Sequence, residues 1–487
     1  MHRYMSSFLL SLGLLNPLLM ADIPKQAIKT NGQLIYQKQK NVNNFNAFFS
    51  EGELYGRIRS NNFYFSYDSD DSDHESAPLA SIGASLVYKS ASWSGFDFTV
   101  AYYGSKAIFS KSSLDSISHL KPAKDTLSRY EYANNGSTML YALGQANINY
   151  KYSKTNFTLG RQLVETFYTK SNDTKMIPNV FDGLVISSNN IQDTKFKLAY
   201  LTKQKLRDHM DSHAVFMVGD AASAPGVLHP EWTENDDSAM HKGLTYTALK
   251  AAGKPTDAPL IVLDIENRSI QNLKINFSAY NVPELLSQAM GELNYTMKFD
   301  GFSVTPGFRY IQQFDNGAGG VGGASLSGLA ASATYKDPTS LDAKMIAARV
   351  VTNIDKYKIN LAYTNILNEA DLVTPWRGFP TAGYTRSMGA YNWKANTKSY
   401  RIELVKNANN TGVYTKPFIQ TSVLYIDGDE TQSTTADSMF YYAGIVQNIP
   451  SMPELQYRVR LGYRDFIHSS SVISNYLDSR LEFNYLF

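Results

Sequence analysis

The stretch Arg480-Leu481-Glu482-Phe483-Asn484-Tyr485-Leu486-Phe487 alternates apolar and polar side chains almost without a break. Successive side chains of an extended strand point to opposite faces, so Leu481, Phe483, Tyr485 and Phe487 share one face and Arg480, Glu482 and Asn484 the other. The same period runs back through the chain. Phe96, Phe98, Val100 and Tyr102 alternate with Asp97, Thr99 and Ala101; Phe196, Leu198 and Tyr200 alternate with Lys195 and Lys197. Leu273, Ile275 and Phe277 do so with Lys274, Asn276 and Ser278, Tyr357, Ile359, Leu361 and Tyr363 with Lys358 and Asn360, and Tyr457, Val459, Leu461 and Tyr463 with Arg458, Arg460 and Arg464. A period of two, not 3.6, governs the sequence. Such strands offer one face to an apolar medium and the other to water, which is what the wall of a transmembrane barrel separates.

Composition agrees with that reading. The 487 residues are 13% aromatic and only 18% charged, against a usual charged share of about 25%, yet the mean hydropathy is −0.30. Apolar residues are therefore interleaved with Ser, Thr, Asn and Gln rather than gathered into the runs of about 20 that membrane helices need. The 46 basic and 44 acidic side chains nearly cancel, which gives no warrant for a nucleic-acid partner. Cysteine is absent, so disulfides, Cys-based zinc sites and thiol nucleophiles are excluded, and the absence fits an exported bacterial protein. The aromatic excess is expected at the lipid headgroup level, from Tyr102 and Tyr103, Tyr150 and Tyr152, Tyr310, Tyr425, Tyr441 and Tyr442 near strand ends.

Arg3 followed by the apolar stretch 8–20 reads as an export signal cleaved after Ala21. Residues 22–50 are then a periplasmic N-terminal segment, and 51–487 an all-β, transmembrane antiparallel barrel of about 18 strands with short periplasmic turns and long external loops. The strands are predicted at 51–67, 80–90, 94–104, 142–153, 155–162, 181–189, 193–202, 259–267, 271–281, 289–299, 301–312, 341–353, 356–364, 397–406, 414–426, 438–447, 454–466 and 477–487. A switch of apolar parity predicts a bulge near Ser60 to Asn62. The segment 326–335 is assigned to a loop together with the Gly-rich stretch 317–328.

Parity also places charges inside the wall. Arg57 and Arg59 face inward on the first strand, Arg480 on the last, and Arg458, Arg460 and Arg464 on the one before it. Closure sets the first strand beside the last, so these arginines form one basic track. Lys195, Lys197, Lys274, Arg309, Arg401, Glu403, Asp264 and Glu266 are further lumen residues. Inward arginines either pair with inward acids to hold the wall together, or present guanidinium forks to carboxylate-bearing or phosphate-bearing solutes.

Three islands carry a family resemblance. Gly160-Arg161-Gln162, the following stretch 163–177, Pro178-Asn179-Val180-Phe181-Asp182-Gly183 and Ala199-Tyr200-Leu201 resemble the fifth-strand, inward-loop and seventh-strand signature of OprD-type porins. Phe49-Ser50-Glu51-Gly52-Glu53-Leu54-Tyr55-Gly56-Arg57-Ile58-Arg59 is similar to their first strand. Trp376-Arg377-Gly378-Phe379-Pro380-Thr381-Ala382-Gly383-Tyr384-Thr385 resembles the epsilon-proteobacterial branch, which includes the Helicobacter outer-membrane (Hof) family. The resemblance implies an eighteen-stranded channel, monomeric or trimeric, in the outer membrane of a Gram-negative bacterium. It also implies an arginine ladder and a third external loop that folds inward over about 163–180 as a constriction. Arg161, Gln162, Asp173, Pro178, Phe181 and Asp182 are the candidate constriction residues. The face of Phe483, Tyr485 and Phe487 is similar to the strand that the barrel assembly machinery reads. The implied partners are outer-membrane lipid, lipopolysaccharide and small hydrophilic solutes, with no cofactor.

Other motifs are weak. The acidic run 68–75 lacks the Gly and terminal Glu of a calcium loop and reads as solvated. His209, His213, His229 and His241 share one loop without a spacing that fixes a metal geometry, and no metal site is assigned. The Gly-rich stretch lacks the Gly-Lys-Ser or Gly-Lys-Thr of a phosphate loop, and neither Gly-x-Ser-x-Gly nor His-Glu-x-x-His occurs. The expected function is passive, solute-selective diffusion biased toward anionic groups, not catalysis; the alternative is an adhesin whose loops act while the barrel anchors it.

Overall fold

The computed structural model describes residues 25–487 except 69–75, 111–125, 129–130, 133–135, 217–238, 411, 433–435 and 468–473. The expected export signal, most of the acidic run and His229 lie outside the described residues.

Eighteen antiparallel strands follow one another around a closed barrel. They are β1 (Glu53–Tyr67), β2 (Ala77–Lys89), β3 (Phe96–Ser110), β4 (Met139–Tyr152), β5 (Thr155–Gln162) and β6 (Val180–Ser188). Then come β7 (Thr194–Lys205), β8 (Leu260–Asn267), β9 (Leu273–Val282), β10 (Leu286–Tyr295, continued by Met297–Phe299), β11 (Phe302–Asp315) and β12 (Ala343–Ile354). The last six are β13 (Tyr357–Ile366), β14 (Thr397–Lys406), β15 (Phe418–Asp427), β16 (Asp437–Ile449), β17 (Met452–Ile467) and β18 (Tyr476–Leu486). The barrel closes where β18 pairs with β1, from Tyr476 opposite Tyr67 to Leu486 opposite Arg57. At one end the turns are short, and Ser153, Asp193, Asn272 and Asp355 supply the positive φ that tight hairpins require. At the other end, long connections such as 163–179, 316–342 and 367–396 fold over and into the barrel.

The outer face is apolar. Leu54, Ile58, Leu86, Val100, Ile148, Leu293, Phe308, Leu361, Ile402 and Leu461 are all exposed on it. A continuous apolar belt of this kind far exceeds the patch of a few hundred Å² that a soluble monomer tolerates, and lipid is the solvent it fits. The predicted strands all occur, and the segment 326–335 lies in a loop, with one short 3₁₀ turn at Leu329–Ser332.

Two expectations are corrected. No bulge occurs near Ser60: β1 pairs in unbroken register with both neighbours. Ser60 and Asn62 keep to the outer face, and Phe63, Phe65 and Tyr67 continue the inner one, so what reads as a parity switch is an aromatic patch in the lumen. Irregularities sit instead at Ala80/Ser81, Ala101/Tyr102, Asp182/Gly183 and Asn448/Ile449. Nor do all the border tyrosines meet lipid. Tyr102 is 52% exposed but Tyr103 is 0%, because adjacent residues of a strand face opposite sides; Tyr441 and Tyr442 divide in the same way.

The aromatic rings that lipid does not claim pack inside, where the long connections meet the wall. Tyr168, Tyr280 and Trp376 form consecutive edge contacts at 4.7 and 4.9 Å, Phe379 stacks on Trp393 at 4.9 Å, and the Tyr280 hydroxyl donates to the Val373 carbonyl at 2.7 Å. Two loops are tied together through Asp371, whose carboxylate accepts from the Leu326 and Ala395 amides and from the Tyr335 hydroxyl. Burial raises the pKa of Asp371 despite these donors.

Residues 22–50, expected as one periplasmic segment, divide between two surroundings. Strands Gln26–Ile28 and Leu34–Tyr36 form a hairpin against inward-facing wall residues. Asn41–Val42 then runs beside Ser92–Trp93, and helix α1 (Phe45–Ser50) lies outside the barrel at the short-turn rim. Phe45 and Phe49 are exposed there, and Phe48 and Phe49 pack on the outward ring of Phe98.

Candidate pore constriction

Between β5 and β6 the chain leaves the wall and crosses the lumen as the loop 163–179. The Phe167 amide donates to Asp264 on β8 at 2.7 Å, and the loop is bonded to 367–396 from the other side. Lys170 N donates to Trp376 O at 2.9 Å, Gly378 N to Tyr168 O at 2.9 Å, and Thr169 bridges Arg377. Gly378 is obligatory at this crossing, because a Cβ there would sit 2.1 Å from the Phe167 carbonyl. Arg309 stands between the two loops: it pairs with Glu292, donates to the Pro380 and Ala382 carbonyls, and lies over the rings of Phe167 and Tyr384. Burial pushes the Tyr384 phenol up to about 12, so it stays neutral and presents a ring rather than a charge.

The far end of the loop is held by charge. Asp173 accepts from Arg57 and from Arg59 of β1, each at 2.6 Å, with all three side chains almost fully buried. Asn61 donates to the Lys175 carbonyl at 2.7 Å beside them. Arg57 and Arg59 are thus clamps on the loop.

The rest of the arginine track is divided. Arg458 donates to the Lys29 carbonyl of the N-terminal hairpin at 3.0 Å and lies 4.0 Å from Glu482. Arg460 pairs with Glu482, and Arg480 pairs with Asp478 through two bonds of 2.7 and 2.5 Å. Arg464 donates to Ser438 Oγ at 3.2 Å and lies over Phe466.

Bordered by several of these residues is a cavity of about 340 Å³. Seven basic side chains border it, Lys175, Arg207, Arg377, Arg386, Arg401, Arg460 and Arg480, and among the described residues no acidic one does. The acids that neutralise part of this charge, Glu403, Glu482 and Asp478, stand in the wall behind. Phe379 and Tyr391 also border the cavity, and the Arg386 guanidinium lies 4.6 and 5.3 Å from their rings. Such an array can receive a carboxylate in a bidentate fork and cover an attached ring.

A second cavity, about 520 Å³, gathers most of the remaining lumen residues read from parity. Lys195, Lys197, Lys274, Arg309, Asp264 and Glu266 all border it. Its charges are mixed and partly paired: Glu266 meets Lys195, Lys274 and Arg268, and Lys197 donates to the Glu165 backbone carbonyl. Arg401 belongs to the first cavity, with Glu403 as its partner.

The candidate constriction residues disperse. Arg161 and Asp182 are strand residues, ion-paired at 2.7 Å on the side of Leu159 and Leu184, and so face outward rather than into the pore. The family resemblance implies a lumen role for both, but the register puts them on the lipid-side parity. Gln162 faces inward and spans three strand carbonyls, Phe181 is core, and Pro178 is buried. Of the set, Asp173 alone makes a charge contact across the lumen. Strand parity does not reach Lys175, Arg207, Arg377 and Arg386, which lie in loops; Lys175 and Arg377 fall within the family islands, but the resemblance assigns neither a role. Phe483 and Tyr485 share the outer face of β18, and Phe487, one residue past its end, is exposed and stacks on Tyr485. Among the described residues there is no group of three or more potential metal ligands, and His209 and His213 meet ring to ring at 5.0 Å.

The family model described as outer membrane porin, OprD family, matches residues 47–463. Among solved structures the chain is similar to Pseudomonas aeruginosa OccK8 (OprE), with TM-score 0.67, 12% identity and coverage of 91% of this chain and 99% of that one. Acinetobacter baumannii OccAB1 gives TM-score 0.67 and 14% identity over 91% and 97% of the two chains. Pseudomonas aeruginosa OpdK, solved with vanillate, gives 0.65 and 11% over 90% and 99%. No curated protein matches the sequence.

Proposed function

The chain belongs to the OprD family of outer membrane porins, and from that premise we propose that it passes small hydrophilic solutes by diffusion with a preference for carboxylate-bearing ones. The observation that carries the preference is the cavity of about 340 Å³ with seven basic side chains and, among the described residues, no acidic one on its border. Charges lining a narrow, protein-walled passage act over short distances in a medium less polarisable than bulk water, so an excess of one sign decides which ions enter. The rings of Phe379 and Tyr391 beside Arg386 favour a carboxylate attached to an aromatic or apolar body. OpdK, solved with vanillate, offers a precedent of that chemical kind within the same fold. The carboxylate is held by exchange between neighbouring guanidinium groups rather than by one deep site, which permits entry and release.

The test is the reversal potential of the refolded protein in a planar bilayer under a salt gradient, followed by competition of benzoate against chloride. An anion-selective pore whose chloride current falls on adding benzoate is expected. Cation selectivity, or the lack of discrete channels, would refute the proposal.

A further inference from the structure

We propose that the N-terminal hairpin is a resident wall of the constriction and a determinant of its selectivity, an inference that rests on the pore function above. The hairpin pairs Gln26 with Tyr36 and Ile28 with Leu34, and its tip closes through Gly32 N to Lys29 O at 2.8 Å. Gly32 has φ +84°, and a Cβ there would lie 2.3 Å from the Asp173 carbonyl, so the tip presses against the constriction loop as only glycine allows. Bonds from separate strands fix it to the inner wall. Gln26 Nε2 donates to the Gly56 carbonyl at 2.7 Å, Gln456 Nε2 to Ile28 O at 3.1 Å, and Arg458 Nη2 to Lys29 O at 3.0 Å. Tyr36 packs on Tyr55 of β1 at 4.7 Å.

Gln26 and Ile28 are 4% and 1% exposed, whereas Asn31 at the tip is exposed and borders the basic cavity together with Thr30. The division is that of a built pore element, with one side docked and one side wet. Its other end is tethered as well, since residues 37–44 lead directly to helix α1, whose phenylalanines sit among the outward rings at the rim. Arg458 is therefore spent on seating the hairpin, and the hairpin in turn places Thr30 and Asn31 on the path of the solute.

A cysteine-free chain makes the test direct. A Cβ built at Gly412 lies 3.6 Å from Ala27 Cβ, within the roughly 3.5–4.5 Å that a disulfide spans. The double variant Ala27→Cys/Gly412→Cys of the full chain should oxidise to near completion after refolding, seen as a reduction-sensitive gel shift, and should keep the conductance of the parent. In a separate variant, Asn31→Asp should lower the anion-to-cation permeability ratio about threefold, and Asn31→Lys should raise it, as expected for one charge placed at a pore lining. No cross-link, or permeability ratios unmoved by both Asn31 substitutions, overturns the inference. The cross-link is read without any current, so a hairpin that docks in a protein lacking channels separates failure of the pore function from failure of this placement.

Discussion

Replacing Asp173 by Ala removes one carboxylate from between two guanidinium groups that are almost fully buried. Both contacts are 2.6 Å and the three side chains are 1%, 1% and 4% exposed. Breaking a buried pair by deleting one partner costs about 3–5 kcal/mol, because the remaining charge is left uncompensated. The two contacts share one carboxylate and do not add, so about 4 kcal/mol is the working figure for the far end of the loop. The remaining bonds nearby, such as Asn61 to the Lys175 carbonyl, are contacts to a neutral carbonyl worth about 1 kcal/mol each. At about 1.4 kcal/mol per decade, the loss multiplies the population of the released loop by nearly 10³. Hydrogen exchange of the amides at 171–177 should therefore accelerate by about 10² to 10³, while those of β1 change less, and single-channel traces should show added open-state noise. A second variant tests the cause: Arg57→Met/Arg59→Met/Asp173→Ala removes the orphaned charges and should recover much of the lost stability. Acceleration of less than tenfold at 171–177 would refute the clamp.

Three further outcomes are expected. Arg460→Gln/Arg480→Gln should move the reversal potential toward cations, whereas Arg458→Gln should move it less and instead increase exchange at 26–36, since Arg458 serves the hairpin; equal shifts in the two variants would contradict the division of the track. His241, in the connection between β7 and β8, contacts the Gly323 carbonyl through Nε2 and the Gly243 amide through Nδ1, and burial lowers its pKa from 6.5 to about 4. The undocked loop then binds more protons between those values, so docking is fully stable above pH 6.5 and loses about 3 kcal/mol as pH falls to about 4; exchange at 239–252, corrected for intrinsic rates, should rise over that window, and a flat profile would contradict it. Gly56→Ala should lower the yield of heat-resistant folded barrel on gels, because the new Cβ would meet the Phe487 ring at 2.1 Å, and Phe487→Ala should lower it too; unchanged yields would count against a role for that contact.

The fold was legible because one rule, alternation, applies to nearly every strand, and a wall with lipid on one side and water on the other enforces it. The rule misled where the inner face is itself apolar. Phe63, Phe65 and Tyr67 point into the lumen beside Tyr476, and by hydropathy alone they belong on the other side. The wall arginines were legible as inward, but their partners were not: what Arg57, Arg59 and Arg458 hold arrives from loop 163–179 and from the N-terminal hairpin, segments far from them in sequence. Lys175, Arg207, Arg377 and Arg386 reach the basic cavity from connections, where no periodicity fixes direction. Arg161 and Asp182 show the converse, since strand parity was available for both and places them outside.

The seam between β18 and β1 has a consequence for how the protein matures. Arg57 and Arg59, which hold Asp173, lie on β1, while Arg480 and Glu482 lie on β18, and Gln26 reaches both edges through the Gly56 and Phe487 carbonyls. The hairpin thus bridges, through Gln26, the junction that joins the two ends of the sheet. The hairpin's other bonds, from Gln456 and Arg458, come from β17 on one side, and Arg57 and Arg59 hold Asp173 from β1 on the other. Closing the junction therefore brings the β1 and β17 seats of the hairpin together, so formation of the hairpin's contacts with Gly56 and Phe487 should coincide with closure of the wall.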